Sequence, residues 1–222
     1  MLPFRTYEIP GALISGFLIL AACEAGYDGT WLIDQDWNAE RISVYGSMSL
    51  CLGLVAAALS RYLLEYKFVG GWLKAPEEIL LADASSGRRH WKRALFPGYF
   101  ALLSPSTRDQ IRSRAEERAT RQVQIHAGSA AETNARSPRN RFSTSLQLAT
   151  ICRTLCLGLV SVSLILASGI VWNSAISGWG QAEWRKLGYC ALSLFEAVGM
   201  LYRYLKYHRQ HAIERLLSAA II

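Results

Sequence analysis

Charged side chains are scarce in this 222-residue chain: Asp, Glu, Lys and Arg make up 18% of the residues, while apolar residues make up 51%. Soluble domains usually carry about 25% charged residues, so this composition argues against an ordinary soluble globule. The apolar residues also stand in long runs instead of alternating with polar ones. Such runs are typical of helices that cross a membrane.

The motifs of the common enzyme classes are missing as well. The sequence contains no HExxH, no glycine-rich phosphate loop after a strand, and no Ser/His/Asp or Cys/His set with supporting context. Hydrolase, kinase and metalloprotease chemistry usually depends on such patterns. We therefore predict no catalytic residue and no cofactor. An intramembrane enzyme or transporter built from scattered polar residues remains an alternative.

Sequence patterns that bind a metal or form a disulfide framework are also missing. Five cysteines occur, none of them in a CxxC motif or with paired histidines, so neither a disulfide framework nor a zinc site is expected. His208, His211 and Glu214 lie three residues apart, and we interpret them as a surface stripe on a C-terminal helix. Cys23 follows Leu-Ala-Ala, as in a bacterial lipoprotein cleavage site, so cleavage before Cys23 remains open.

What the sequence does contain is four apolar runs, two of which meet the length of a membrane span comfortably. A helix needs roughly 17–25 residues to cross the hydrocarbon core of a bilayer. We predict an all-α fold, a four-helix transmembrane bundle with a helical, basic cytoplasmic insertion between spans 2 and 3. The predicted spans are Ile9–Cys23, Ile42–Ser60, Leu148–Trp172 and Leu187–Tyr204.

The distribution of charge predicts the orientation. Residues 61–145 hold fifteen Lys and Arg against eight Asp and Glu, whereas Glu24–Arg41 holds five acidic residues and one basic residue. Because positively charged loops stay on the cytoplasmic side, both termini and the basic segment should face the cytoplasm. Arg185 and Lys186 do not fit this orientation, since they lie on the outer side of the fourth span. The predicted parts are a first hairpin (1–60), the basic segment (61–147), a second hairpin (148–205) and an amphipathic cytoplasmic tail (206–222).

The densest basic cluster lies in the cytoplasmic segment. It is typical of charge that sets topology or binds anionic lipid headgroups, and a specific anionic ligand, cytoplasmic protein or nucleic acid is the alternative. The apolar run at 94–103 is too short to span and is expected to form an interfacial or re-entrant element. The candidate binding residues are Arg88, Arg89, Trp91, Lys92 and Arg93.

Small residues line one side of two predicted spans. Helices inside lipid approach closely where small residues meet, so these positions predict helix packing, and by extension a homo-oligomer. They are Gly46, Gly53 and Ala57 in the second span, with the pairs Gly11/Ser15 and Ala12/Gly16 in the first.

Two charges interrupt the apolar runs, Arg153 in the third span and Glu196 in the fourth. Arg153 should lie roughly 8 Å, and Glu196 roughly 10 Å, from the cytoplasmic ends of their spans at ~1.5 Å per residue. An unpaired charge at the bilayer centre costs about 2.5–3.5 kcal/mol on insertion scales. We therefore predict that Arg153 and Glu196 pair inside the bundle. Such an ion pair would either fix the register between the two helices or contribute to function.

Three stretches carry a resemblance to a known group: YEIPGALISG (7–16), ATICRTLCLGLV (149–160) and RYLKYHRQHAIERLL (203–217). In these islands the chain resembles small four-span bacterial inner-membrane proteins of poorly characterised families, some of them encoded beside antiphage defence genes. The resemblance implies a membrane effector, or the partner subunit of one, in the bacterial inner membrane.

These observations lead to two functional hypotheses of different classes. The first is a non-enzymatic, oligomeric effector that perturbs or permeabilises the membrane when its cytoplasmic segment receives a signal. The second is a membrane anchor or scaffold that recruits a cytoplasmic protein or nucleic-acid complex through the same basic segment. Conduction in the first case requires several subunits, because four helices of one chain leave no room for a water-filled channel.

Overall fold

The fold is helical throughout the part of the chain that the structure describes. The computed structural model describes residues 8–27, 38–81, 90–113 and 144–221, and these contain no strand, which confirms the all-α prediction. α2 continues directly into a π-helical segment at Arg61–Leu73. The helices are α1 (Glu8–Gly26), α2 (Ala39–Ser60), α3 (Pro76–Leu80), α4 (His90–Leu95), α5 (residues 105–113), α6 (Thr144–Ser177) and α7 (Gln181–Ile221).

Three helical stretches are long and apolar enough to cross a membrane. They are Glu8–Gly26, Ala39–Leu80 and Thr144–Ile176, and they contain the first three predicted spans. α7 is not among them, although its 41 residues exceed the necessary length. Its predicted span includes Glu196, Arg203 and three tyrosines, which lower the mean hydropathy. Within the described residues, three helical stretches thus have the length and hydropathy of a membrane span, where the sequence predicted four spans.

The chain divides into two compact units. Unit 1 consists of Met1–Trp72 and Gln147–Tyr204, and unit 2 consists of Leu73–Leu146 and Leu205–Ile222. Both predicted hairpins lie in unit 1 except for Leu205, together with the first residues of the predicted basic segment. The predicted C-terminal tail groups with the remainder of that segment in unit 2.

In unit 1, α1 packs against α2 at backbone contact. A Cβ atom added to Gly16 would lie 1.7 Å from the carbonyl oxygen of Ser49, and one added to Gly53 would lie 1.7 Å from that of Ala12. The Ser49 hydroxyl donates a hydrogen bond to the carbonyl of Leu13 at 2.7 Å. Since Ala12 meets Gly53 and Gly16 meets Ser49, the two helices are antiparallel. Only glycine permits so close an approach at these positions.

The neighbouring face of α1 packs against α6. A Cβ on Gly158 would lie 2.7 Å from the Ser15 Cβ, and a Cβ on Gly169 would lie 2.3 Å from the carbonyl oxygen of Gly26. These contacts make α1 and α6 parallel. The two small-residue pairs of α1 therefore serve different neighbours: Ala12 and Gly16 face α2, whereas Ser15 faces α6.

α6 in turn packs antiparallel against the first half of α7. The Ser163 hydroxyl lies 3.0 Å from the sulfur of Cys190. Further along, Cys156 and Leu159 of α6 form a buried cluster with Ala197 of α7. Partly buried residues of α1, the π-helical segment, α6 and α7 pack around this cluster, namely Leu18, Leu64, Val160, Met200 and Leu201.

Polar side chains stabilise several helix ends of unit 1. Asn38 caps α2, where its side chain accepts a hydrogen bond from the backbone N–H of Arg41. Glu183 accepts from the N–H of Gly180 at 2.9 Å, which is half of a capping box at the start of α7. The buried ammonium of Lys186 donates to the carbonyl of Gly26 at the C-terminus of α1, at 3.3 Å. A cation at this position is favourable because the helix dipole is negative there.

Unit 2 contains a small set of buried apolar side chains. α3 begins with Pro76 followed by two glutamates, as the sequence indicates for a helix start. The run at 94–103 buries Phe96, Tyr99 and Phe100, while its Leu95 is exposed. The Tyr99 hydroxyl donates to the carbonyl of Lys74 at 2.9 Å, which ties this run to the turn before α3. In unit 2, Arg209 of α7 donates to the carbonyl of Ala101 at 2.9 Å.

Candidate functional site

The strongest candidate site in unit 1 is an ion pair with one enclosed and one partly exposed member. Arg153 lies on α6 with only 9% of its side chain exposed, and its Nη1 donates a hydrogen bond to Oε2 of Glu65. Glu65 belongs to the π-helical segment that continues α2. Charge-assisted hydrogen bonds of this kind are roughly twice as strong as neutral ones. The Glu65 carboxylate therefore compensates the positive charge of Arg153 in the otherwise apolar helix α6.

Glu65 also lies near a second cation. The Nε of Arg61 is 3.9 Å from the same carboxylate oxygen. The Glu65 side chain is 43% exposed and that of Arg61 is 66% exposed. The Glu65 carboxylate is thus the accessible side of the ion pair, whereas the guanidinium of Arg153 is the enclosed side.

Tyr204 of α7 completes the cluster. It is only 1% exposed, and its hydroxyl interacts electrostatically with both Glu65 and Arg153. Three elements of unit 1 therefore converge at one place: the π-helical segment, α6 and the middle of α7. Extended π-helix is rare and short π-helical turns often occur at functional sites, which makes this cluster a candidate for function as well as for register.

The structure does not bring Arg153 and Glu196 together, so the predicted intramembrane pair is not formed. Arg153 binds Glu65 instead, and Glu196 is exposed on α7. The reason is helical rotation. The buried face of α7 contains Ser193, Ala197 and Tyr204, and Glu196 lies about 100° around the helix from Ala197. Equal depth in the predicted bundle was therefore insufficient to make a contact.

The basic cluster is described only in part. Arg88 and Arg89 lie outside the described residues. Trp91, Lys92 and Arg93 belong to α4, where the Lys92 ammonium lies 5.8 Å from the centre of the exposed Trp91 ring. Trp91 is exposed, whereas Lys92 is half-buried.

The predicted packing residues of the second span differ in their surroundings. Gly53 lies against Ala12 of α1, and Ala57 is buried. Gly46 borders open space, since an added Cβ would meet no atom within 4 Å. Backbone contact between α1 and α2 thus occurs at Ser49 and Gly53, whereas Gly46 does not take part in it.

Glu214 and His211 of the predicted C-terminal stripe lie among polar and charged side chains of unit 2. Across the described ranges, no group of three His, Cys, Asp or Glu side chains is arranged to hold a metal ion. Glu214 accepts hydrogen bonds from Ser145 at 2.7 Å and from Gln210 at 3.3 Å. Burial lowers the pKa of His211, and the positive charge of Arg215 lowers it further, while Glu214 and Glu77 act in the opposite direction.

Sequence reasoning missed two members of the buried cluster, Glu65 and Tyr204. Glu65 did carry a signal, because it is the only acidic residue between Arg41 and Glu77 and lies four residues after Arg61. Tyr204 carried none that separates it from the other nine tyrosines. The role of Lys186 was also missed, although its position on the predicted outer side marked it as unusual.

Comparisons of the chain with protein-family models, with curated proteins and with solved structures find no match. The function is therefore inferred from the residues and contacts described above.

Proposed function

We propose that this protein is a four-span protein of the bacterial inner membrane, with both termini in the cytoplasm. Residues Leu187–Tyr204 of α7 provide the fourth span. The support is that this half of α7 packs antiparallel along α6, with Ser163 against Cys190 and Cys156 close to Ala197. Because this part of α7 packs along an apolar span, α7 crosses the bilayer together with α6. The excess of basic residues in 61–145 supports the orientation.

We propose further that the protein is a non-enzymatic, oligomeric effector that perturbs or permeabilises this membrane in response to a cytoplasmic signal or partner. The observation that carries the proposal is the outward position of Glu196. Between Arg153 and Arg203, the spans predicted for α6 and α7 contain no other charge. A carboxylate facing lipid at this depth is unfavourable, and an assembly of several copies offers it polar surroundings.

The buried cluster supplies a place where a signal would act on the spans. Glu65 lies seven residues before Trp72, where unit 1 ends, and Tyr204 is the last residue of unit 1. Anionic lipid headgroups or a cytoplasmic partner bind the basic segment in this proposal. Because Glu65 belongs to the basic segment (61–147), a change in that segment acts on the Glu65–Arg153 contact, and loss of this contact loosens α6.

Induced expression of the full chain in bacteria tests the effector proposal. Membrane potential is followed with a voltage-sensitive dye and integrity with a DNA stain that intact cells exclude. We expect depolarisation at high expression, and a reduced effect for Glu196→Ala at equal protein abundance in the membrane fraction. Unchanged potential and stain exclusion at high expression, even in cells infected with phage, contradict the proposal.

The second candidate is a membrane anchor or scaffold for a cytoplasmic protein or nucleic-acid complex. The observation in its favour is the exposed Trp91 with Lys92 beside it on α4. Purification from cells after cross-linking distinguishes the two functions. A cytoplasmic protein or RNA that is recovered with the wild type and lost when Arg88, Arg89, Lys92 and Arg93 are changed to Gln supports the scaffold, provided that membrane potential is unaffected.

A further inference from the structure

The π-helical segment that follows α2 exposes two tyrosines and a lysine on one side. Tyr62 is 53% and Tyr66 is 69% exposed, and their rings stack with centroids 6.0 Å apart. The Lys67 ammonium lies 5.7 Å from the centre of the Tyr62 ring and 5.9 Å from that of Tyr66. These two cation–π contacts hold the ammonium beside the rings. We call these three residues the tyrosine–lysine face.

The other side of the same segment packs inside unit 1. Leu64 packs against the buried cluster of α6 and α7, and Glu65 accepts the hydrogen bond from Arg153. Val69, four residues after Glu65, is buried as well. The segment therefore has an inner side that contacts the helices of unit 1 and an outer side that borders whatever surrounds them.

The length of the preceding apolar run indicates what those surroundings are. No Asp, Glu, Lys or Arg occurs between Arg41 and Arg61. At ~1.5 Å per residue, the run Ile42–Ser60 extends about 28 Å, which matches the thickness of a hydrocarbon core. The tyrosine–lysine face follows directly, within about 10 Å of the edge of that core. This is the depth of the lipid headgroups, where tyrosines are enriched in membrane proteins.

The charges around the tyrosine–lysine face favour an anion. Among the described residues, Lys67 contacts the two rings and has no carboxylate partner. Arg61 adds a second exposed cation, and its carboxylate neighbour Glu65 is already bonded to Arg153. At this depth the bilayer itself supplies anions in the form of lipid phosphates, and each Lys or Arg near the surface increases attraction to an anionic leaflet.

We infer that the tyrosine–lysine face binds the phosphate of an anionic phospholipid. Lys67 supplies the charge, assisted by Arg61, and the two tyrosine hydroxyls donate hydrogen bonds to phosphate oxygens. The inference rests on the membrane location in the proposed function. It assigns the lipid-binding step of that function to the start of the basic segment instead of the cluster at 88–93.

Lipid binding to the purified full chain in neutral detergent, followed by native mass spectrometry, tests the site. The probes are phosphatidylglycerol and phosphatidylcholine with the same acyl chains, and the ratio of their dissociation constants is measured. The preference for phosphatidylglycerol should fall about fivefold in Lys67→Gln, whereas Lys67→Arg should retain most of it. The matched control is Lys206→Gln, which removes the same charge from an exposed lysine without a ring contact among the described residues.

Three results overturn the inference. The first is an unchanged lipid preference in Lys67→Gln, and the second is an equal loss in Lys206→Gln, because the total charge then attracts the lipid. The third is displacement of the lipid by excess inorganic phosphate, which makes a soluble phosphate the ligand. Tyr62→Phe combined with Tyr66→Phe keeps the rings and should weaken phosphatidylglycerol binding about two- to tenfold; unchanged binding overturns the role of the hydroxyls.

Failure of the membrane location is recognised separately, by fluorescence of a thiol label in vesicles of phosphatidylcholine and phosphatidylglycerol. In a Cys23→Ala chain, a label on the exposed Cys51 should be quenched most by lipids with a nitroxide deep in the acyl chain. With Cys51→Ala added, a label on Leu63→Cys should be quenched most by lipids with a nitroxide at the headgroup. Quenching of the Cys51 label by aqueous iodide alone overturns the membrane location and the inference with it.

The two measurements separate the possible failures. If both labels lie at the expected depths, absence of a preference for phosphatidylglycerol overturns only the lipid site. Neither measurement depends on depolarisation of cells, so failure of the effector proposal leaves the lipid site standing.

Discussion

Arg153 of α6 donates a hydrogen bond to the carboxylate of Glu65, 88 residues earlier in the chain. The guanidinium is enclosed, with 9% of the side chain exposed, whereas the carboxylate side chain is 43% exposed. Removal of Glu65 and removal of Arg153 should therefore have different effects on stability. Loss of Glu65 leaves a buried cation, while loss of Arg153 leaves a carboxylate within reach of solvent or headgroups.

The first prediction follows from that asymmetry. Glu65→Ala should lower the free energy of unfolding by about 1–3 kcal/mol, because an enclosed charge loses its partner. Arg153→Met should lower the free energy of unfolding by a smaller amount, since an apolar side chain replaces the guanidinium and Glu65 is partly hydrated. Thermal unfolding in detergent measures both. Glu78→Ala, which removes an exposed carboxylate, is the control and should change stability by less than about 0.5 kcal/mol.

A charge exchange tests the partner of Arg153 directly. Arg153→Glu should impair folding, and combination with Glu65→Arg should restore part of the loss, because the pair is then reversed. Combination with Glu196→Lys should restore nothing, since Glu196 is on another face of α7. Recovery with Glu196→Lys and none with Glu65→Arg would contradict the arrangement described here.

Glycine substitutions in α2 separate close contact from open space. Gly53→Ala places a Cβ 1.7 Å from the carbonyl oxygen of Ala12, so α1 and α2 must move apart, at a cost of about 1–3 kcal/mol typical of overpacking. Gly46→Ala is the control in the same helix. It has open space around it and should be neutral or stabilising by up to about 1 kcal/mol, since alanine is the better helix former. Equal effects on the unfolding temperature contradict the α1–α2 contact.

Substitution of the adjacent cations Lys186 and Arg185 should have different effects on stability. Lys186→Met removes a buried donor to the carbonyl of Gly26 and should cost about 1 kcal/mol, the usual scale of a helix-end hydrogen bond with favourable dipole interaction. Arg185 is exposed, so Arg185→Met should change stability by less than about 0.5 kcal/mol. Chemical denaturation in mixed micelles measures the difference, and a larger loss for Arg185→Met contradicts it.

Stability should fall with acidification through His211. Burial, then Arg215, lowers the pKa of His211 in the folded chain below its ordinary value of 6.5, against the weaker opposing effect of Glu214 and Glu77. The unfolded chain therefore binds the proton more readily than the folded chain. The loss of stability begins as the pH falls through about 6.5 and is complete below the folded pKa. His211→Gln should flatten this part of the profile of unfolding temperature between pH 8 and pH 5; an unchanged profile excludes His211 as its source.

The amino-acid sequence by itself determined the helical class and the positions of the apolar helices. The runs at 9–23, 42–60 and 148–172 lie within α1, α2 and α6, because hydropathy and helix length are properties of consecutive residues. It also marked Arg153 as a charge that needs a partner. The same local reasoning counted four spans, whereas three helical stretches of the described residues are long and apolar enough to cross a membrane, since Glu196 and Arg203 reduce the apolar character of α7.

Only the tertiary structure decided which residues meet. Glu65 rather than Glu196 binds Arg153, because contact depends on which helices are neighbours and on how each is rotated about its axis. The small residues of α1 show the same limit: their spacing predicts close packing, but the division between α2 at Gly16 and α6 at Ser15 exists only once three helices are assembled. An exposed Glu196 and a buried Tyr204, two turns apart on one helix, differ for the same physical reason.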